Sequence, residues 1–320
     1  MNNRIDLSGK SSWISLLPIA FFAAGLFSAC IKEDNSDCAV PFRFEYDWRN
    51  QVEPDACRGQ VHLRLYDGNG TCNPFDCSRE GAEITLDAIP YEVLTYNNRL
   101  EGLEYSGQEY THTAQATVRE VATPDLVAQA LADNPPAEPL IGQANGFLYY
   151  DSIPRITPLV NGENHALLVP EPVGYLIRFK QNLTGPSASQ VAGLEATLSG
   201  IVPQVWLATG GRTEAPTRTA LARTEYADPV YLSTLYVFGV DGADNRFKVY
   251  VDVDDIDSGP VIIDKDLTDI IREAIEKNEE EGAPPVIDFE LNIEIDHNSL
   301  RPGQITVVGW EDVEGGGGEM

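Results

Sequence analysis

Along most of this chain, hydrophobic and polar residues alternate in short runs. Phe42-Arg43-Phe44-Glu45-Tyr46 and Val61-His62-Leu63-Arg64-Leu65-Tyr66 each repeat with period two, the pattern of a strand buried on one face. Asp67-Gly68-Asn69-Gly70 closes the second run with turn residues. Glu83–Leu86, Tyr91–Tyr96 and Thr113–Val121 continue the series, with Asn97-Asn98 read as a turn and His62 read onto a solvent face. A second series contains Tyr175–Phe179, Glu195–Leu198, Val205–Leu207, Leu232–Val240 and Arg246–Val253, with Asp241-Gly242 predicted as a hairpin turn. The last strands are Val286–Ile295 and Ile305–Trp310. In the former, Phe289, Leu291, Ile293 and Ile295 alternate with Asp288, Glu290, Asn292, Glu294 and Asp296, which predicts packing on one side only.

Two segments break this period. After Thr123 as a cap and Pro124 at the first helical position, Leu126, Val127, Ala130 and Leu131 share a face, and Pro135-Pro136 ends a helix of about ten residues, read as a connector. From Asp266 to Glu280 a longer helix carries the stripe Leu267, Ile270, Ile271, Ala274 and Ile275. Pro158, Asn161, Gly162, Pro170 and Pro172 punctuate the stretch between the two strand series. The pattern predicts an all-β chain with one or two short helices: two tandem β-sandwich domains, residues 38–165 and 166–314, then a flexible tail at 315–320.

Ahead of the first strand lies a different kind of segment. Arg4 and Lys10 precede an uncharged stretch from Trp13 to Phe27, then Ser28-Ala29-Cys30. Basic start, apolar middle, small residues and cysteine form the order of a bacterial lipoprotein signal, so residues 1–29 are read as a signal peptide and Cys30 as the acylated first residue of the mature chain. A plain secretory signal cut near Ala29 and a membrane anchor are the alternatives. The apolar stretch is short of the roughly 20 residues that span a bilayer. Residues 30–37 form a lipidated tether, and several acyl groups would anchor more firmly than one. Lys32-Glu33-Asp34 resembles the short signal that sends lipoproteins of Bacteroides-type bacteria to the outer face of the outer membrane.

Removing residues 1–29 takes away Arg4, Lys10 and Asp6 and leaves 20 basic and 49 acidic residues, a formal charge of −29. Such a balance repels nucleic acid and suits a solvated exterior surface. Cys38, Cys57, Cys72 and Cys77 all lie early in the mature chain, and an even number in an exported protein reads as two disulfides, with three connectivities open.

Chemistry-bearing motifs are scarce. His62, His112, His165 and His297 show no metal-type spacing, and the chain has no nucleophile elbow and no phosphate-binding glycine loop. No catalytic residue, metal or cofactor is assigned. Asp252, Asp254, Asp255 and Asp257 carry hard oxygen ligands but lack the order of a calcium loop, and read as a solvated strand end. Asp151-Ser152-Ile153 matches the short O-glycosylation pattern of exported proteins in Bacteroides-type bacteria, which makes Ser152 a candidate. Asn182-Leu183-Thr184 is a sequon expected to be silent in a bacterial chain, and Arg212, Arg218 and Arg223 read as part of a polar loop. Near the end, Ile305, Val307, Val308 and Trp310 are candidates for a strand shared with a partner by β-augmentation, beside ordinary pairing within the domain.

Cys30, Phe44-Glu45-Tyr46-Asp47-Trp48, Tyr96-Asn97-Asn98, Leu198-Ser199-Gly200 and Val308-Gly309-Trp310-Glu311-Asp312-Val313 occur in that order. Together they resemble the fimbrillin superfamily of Bacteroides-type (type V) pili, closest to its lipidated anchor or minor subunits. The resemblance implies two transthyretin-like β-sandwiches, no catalysis, other fimbrillin-like subunits as partners and an outer-membrane lipid anchor facing the exterior. In that family, stalk subunits are cleaved after an arginine, whereas anchors keep their lipid. Between Cys30 and the first strand the arginines that could be cut are Arg43 and Arg49, in or beside that strand, which favours an anchor. The cysteines are a departure, since subunits of this family are usually cysteine-poor. The rival expectation is a surface lipoprotein that binds a glycan or host ligand without a pilus, using Tyr149, Tyr150 and Trp206 for sugar stacking.

Overall fold

The computed structural model describes residues 38–53, 60–97, 100–254, 259–295 and 304–311. Cys30 and the lipoprotein signal, Cys57, Asn98, Asp255, Asp257, His297 and the 315–320 tail lie outside the described residues. The first ten strands are β1 (Ala39–Tyr46), β2 (Val61–Asp67), β3 (Cys72–Cys77), β4 (Gly81–Asp87), β5 (Tyr91–Asn97), β6 (Leu103–Ser106), β7 (Gln115–Val118), β8 (Leu148–Ile156), β9 (His165–Leu168) and β10 (Glu171–Val173). The next ten are β11 (Tyr175–Thr184), β12 (Val191–Ile201), β13 (Gln204–Trp206), β14 (Arg218–Leu221), β15 (Arg223–Ala227), β16 (Val230–Val237), β17 (Arg246–Val253), β18 (Val261–Asp266), β19 (Val286–Glu294) and β20 (Gln304–Glu311). Among the described residues, the α-helices are Asp125–Ala130 and Thr268–Glu281. The chain is all-β, as its alternation predicts.

In the N-terminal half, a three-stranded sheet, β4-β1-β9, faces a five-stranded sheet, β10-β8-β5-β2-β3. Phe42 and Phe44 of β1 pack between them on Leu63, Leu65, Tyr91 and Val93. In β1 the polar alternates Arg43 and Glu45 point away from this core and pair with each other. Strand β5 departs from simple alternation: Val93, Leu94, Thr95, Tyr96 and Asn97 are all buried. Tyr91 and Val93 face the first core, while Leu94 and Tyr96 face a second, so this central strand is covered on both sides.

In the C-terminal half, the sheet β15-β16-β11-β19-β20 faces β14-β12-β17-β18. Phe179 stacks on Phe247 with ring centroids 4.1 Å apart and on Phe289 at 5.3 Å, joining the two sheets. Strand β19 follows the predicted pattern, with Ile287, Phe289, Leu291 and Ile293 inward. Its outward residues form ion pairs with its parallel neighbour β11, Arg178 with Asp288 and Lys180 with Glu290.

Several local expectations need correction. Strands β16 and β17 belong to different sheets, so Asp241-Gly242 links sheets across the sandwich instead of closing a hairpin. Asn97 is part of β5, not a turn: its side-chain amide donates to Phe147 O at 2.9 Å and its carbonyl accepts from Tyr149 N at 2.7 Å. His62 is half-buried against the Tyr96 ring and pairs with Asp76 at 2.6 Å, because this face of the sheet is covered by further chain. Thr123 does not cap the first helix; Pro124 occupies the cap position and Val127 is fully buried.

Several contacts tie the halves. Strand β7 pairs with β13, and the Gln204 side chain bonds Gln115 at 2.8 Å and Thr117 at 2.9 Å. The segment from Val121 to Ile141 crosses onto the outer face of the β12–β17 sheet, burying Val127 and Leu140 on Tyr250. Ile141 then bridges β14 through Ile141 N to Thr219 O and Leu221 N to Ile141 O. After β1, Val52 N donates to the Tyr149 hydroxyl at 2.9 Å and the Tyr236 hydroxyl donates to Glu53 at 2.7 Å. One large hydrophobic cluster consequently runs from Tyr66, Leu94 and Tyr96 through to Ile293 and Ile305.

Candidate functional site

The residues with the clearest geometry for a partner lie on β20. It is the outer strand of its sheet, pairing antiparallel with β19 from Glu294↔Gln304 to Asp288↔Glu311. No ladder partner occupies its other edge among the described residues. The register shifts between Glu290 and Leu291, so that Leu291 faces Val307 while Glu290 faces Gly309. Val308 is the extra residue of this bulge, and bulges twist an edge and re-aim a side chain. Ile305 is buried, Val307 is half-buried against the core, and Val308 is 56% exposed. The four candidates Ile305, Val307, Val308 and Trp310 therefore share one strand; Trp310 pairs with Phe289 in the backbone register. Two inward residues hold the strand on its own sandwich and one outward residue is presented to solvent.

Beside β20 the outer face of the same sheet forms a shallow groove. Val230 and Leu232 of β16 flank one side, Val308 the other, and the Arg178–Asp288 and Lys180–Glu290 pairs lie between. Asn182 adds a side-chain bond to Glu290 at 2.9 Å, which with Lys180 holds the Glu290 carboxyl below its ordinary range.

The other candidates are dispersed. Ser152 lies half-buried on β8, and its hydroxyl donates to Ala208 O at 2.9 Å. Its neighbour Asp151 accepts from Val169 N at 2.7 Å, and burial raises its carboxyl above the usual range. Among the described cysteines, Cys38 is exposed, Cys72 half-buried and Cys77 buried, and all three are free thiols. Cys72 and Cys77 end the same strand, roughly 16 Å apart in extended chain, beyond the ~7 Å limit for a disulfide. That connectivity is thereby ruled out, and no disulfide forms among the described residues. Burial pushes the Cys77 thiol up to about 11. Tyr149 is fully buried, and Tyr150 and Trp206 are half-buried, the Tyr150 hydroxyl donating to Thr209 O at 2.8 Å. These three aromatics form no exposed stacking platform. Among the described residues no three His, Cys, Asp or Glu side chains gather as a metal site, and no helix is long and apolar enough to cross a membrane. Arg43 and Arg49 are exposed and paired with Glu45 and Asp47.

No family model matches the chain. A 91-residue stretch is 32% identical to the Zn(2)-C6 fungal-type transcription factor aoiH of Aspergillus oryzae, covering 28% of this chain. The chain spans about a quarter of the length of that curated relative, 24%. Likeness to solved structures covers nearly the whole fold. A candidate adhesin from Bacteroides ovatus superposes with a TM-score of 0.61 at 16% identity, covering 85% of this chain and 98% of that one. The fimbrial anchor protein Mfa2 from Porphyromonas gingivalis superposes with a TM-score of 0.51 at 12% identity, covering 86% and 97%. A candidate polysaccharide-binding protein from Bacteroides thetaiotaomicron gives 0.51 at 12% identity, covering 87% and 98%. What is shared with all three is the fold.

Proposed function

We propose that this chain is a non-catalytic cell-surface lipoprotein, a fimbrial anchor or minor pilus subunit. A lipid on Cys30 holds it on the exterior of the outer membrane, and the β20 edge joins it to another fimbrillin-like subunit. The observation that carries this reading is the edge itself: a strand anchored inward by Ile305, with no ladder partner on its outer side among the described residues and an exposed Val308 at its bulge. An unpaired edge offers backbone donors and acceptors in register for an added strand. The fold shared with a protein named as a fimbrial anchor supports the reading, as does the order of residues around Cys30. The described histidines lie on separate elements: His62 pairs with Asp76, His165 with Glu45, and His112 stacks on Tyr110.

The test is photo-crosslinking on intact cells, with the probe residue at position 308 and a control probe at the exposed Glu109. Outer-membrane purification and mass spectrometry should find a fimbrillin-like subunit joined through position 308 and not through 109. Recovery of the uncrosslinked protein from both, or of the same neighbours from both, would remove the β20 edge as the joint. Replacement of Cys30 by Ala should release the chain from the membrane fraction, and retention there would remove the lipid anchor.

A further inference from the structure

A cleft of about 440 Å³ opens where the two halves meet, far in sequence from β20. One wall belongs to the N-terminal half: the chain leaving the first helix, with Leu131, Asn134, Pro135 and Pro136. The other is the outer face of the β14-β12-β17-β18 sheet, with Thr219, Asp244, Arg246 and Lys248. The helix itself is seated firmly, since Val127 and Leu140 pack on Tyr250. Immediately beyond, Pro135-Pro136 carries the chain along without regaining helix or strand, leaving the cleft open. Its volume falls within the range of small-ligand sites.

The polar wall is held in place. Ser199 Oγ donates to Asp244 O at 2.8 Å and accepts from Arg246 N at 2.8 Å, while the Asn245 side chain donates to Ser199 O at 3.0 Å. Gly200 takes φ of +73° beside Asn245, where a Cβ would meet the Asn245 amide nitrogen at 2.3 Å, so this loop has little room to rearrange. Arg246 Nε is fixed by both Asp264 oxygens, at 3.0 and 3.2 Å. The Asp244 carboxylate has no hydrogen bond or ion pair among the described residues, although its own backbone is locked. It is an exposed acceptor in the cleft lining, whose other wall carries Leu131, Pro135 and Pro136.

We propose that this cleft binds a neutral saccharide. A sugar ring presents hydroxyl groups along its rim and C–H bonds on its faces. It thus matches a site with carboxylate, guanidinium and hydroxyl groups on one wall and proline and leucine surface on the other. Charge selects the neutral class. Arg246 and Lys248 are balanced by Asp244, Asp264 and Asp266 around them, and the chain as a whole carries −28. Neither the cleft nor the surrounding field favours an anionic ligand. The inference goes beyond the fimbrial reading and does not depend on the β20 edge.

The test is titration calorimetry of the purified full-length mature chain with maltotriose, cellotriose, mannotriose and galactotriose, with 3′-sialyllactose as the anionic comparison. At least one neutral trisaccharide should bind, and Asp244→Ala should weaken that binding tenfold or more while leaving the thermal midpoint unchanged. Hydrogen exchange should slow on binding at amides in residues 131–134 and 244–248. Absence of binding by all four at 10 mM, binding of the sialylated sugar alone, or binding untouched by Asp244→Ala with protection elsewhere would each overturn the proposal. None of these outcomes bears on crosslinking through position 308.

Discussion

Asn97 does the work of a backbone segment with a side chain. It is buried, and its amide bonds both the carbonyl of Phe147 and the N–H of Tyr149, fastening β5 to β8 where Leu148 passes between them. Asn97→Ala leaves a buried donor and a buried acceptor without partners, each worth about 1–3 kcal/mol. A fall in the urea midpoint equivalent to about 2–4 kcal/mol, with unchanged slope, is expected; a loss under 1 kcal/mol would mean that water replaces the amide. Nothing local in Tyr96-Asn97-Asn98 distinguishes this residue from a turn asparagine, because its partners lie some 50 positions away. Gly174 is a similar case. It has φ of +81° between β10 and β11, and a Cβ there would meet Val237 O at 1.9 Å. The glycine is visible in the sequence, but the carbonyl that requires it is not. The cysteines are another case: even count and early position point to disulfides, while strand β3 holds Cys72 and Cys77 too far apart to bond to each other, and Cys57 lies outside the described residues.

At the scale of elements, alternation was legible wherever one face of a strand is buried and the other wet. β1 and β19 match it closely, whereas β5, covered on both sides, does not, and β17 breaks it at Tyr250, which the chain around the first helix covers. The β20 candidates were legible as a strand near the chain end, but the bulge that separates Val308 from Ile305 depends on pairing with β19. This separation makes a prediction. Ile305→Ala removes buried methylenes and should cost about 2–4 kcal/mol, whereas Val308→Ala should stay within about 0.5 kcal/mol; chemical denaturation of both variants checks the pair. If the two cost the same, the bulge is not as described. The second helix offers another test. Its start is set by Asp266, which accepts from both the amide and the hydroxyl of Thr268, and these bonds hold the Asp266 carboxyl below its usual value. A depressed folded value means that the stabilisation is present above the unfolded carboxylate pKa and is lost as pH falls through the folded one. Asp266→Asn should therefore lower the urea midpoint at pH 7 and match the parent chain at pH 2. An equal deficit at both would show that the carboxylate charge plays no part.

Two sandwiches with a punctuated stretch between them suggest two independent units, yet the contacts joining them are of the kind that makes a whole molecule unfold at once. The main hydrophobic cluster includes Leu94 and Tyr96 from one half and Phe179, Phe247 and Phe289 from the other. Strand β7 finds its partner in β13, and the chain around the first helix covers Tyr250. None of this was readable from periodicity, which reports which face of an element is apolar and not which element will cover it. Arg218 is the polar clasp: it bonds Glu120 at 3.0 Å, Glu138 at 2.8 Å and Pro139 O at 2.7 Å, with its own side chain mostly buried and both carboxylates largely exposed. Removing it strands no buried charge, since the glutamates can hydrate, so Arg218→Ala should cost only about 1–2 kcal/mol. The apolar cluster remains, and cooperativity should survive with it. Trp48 sits where the segment after β1 meets the C-terminal half, and Trp206 sits on β13. Indole fluorescence and far-ultraviolet circular dichroism should therefore report a single coincident urea transition in both the parent chain and Arg218→Ala. Two separated transitions in the parent would make the halves autonomous domains. Separation only in the variant would place the coupling in the Arg218 clasp instead of the shared core, and the saccharide cleft, whose walls come from both halves, would then depend on that one side chain.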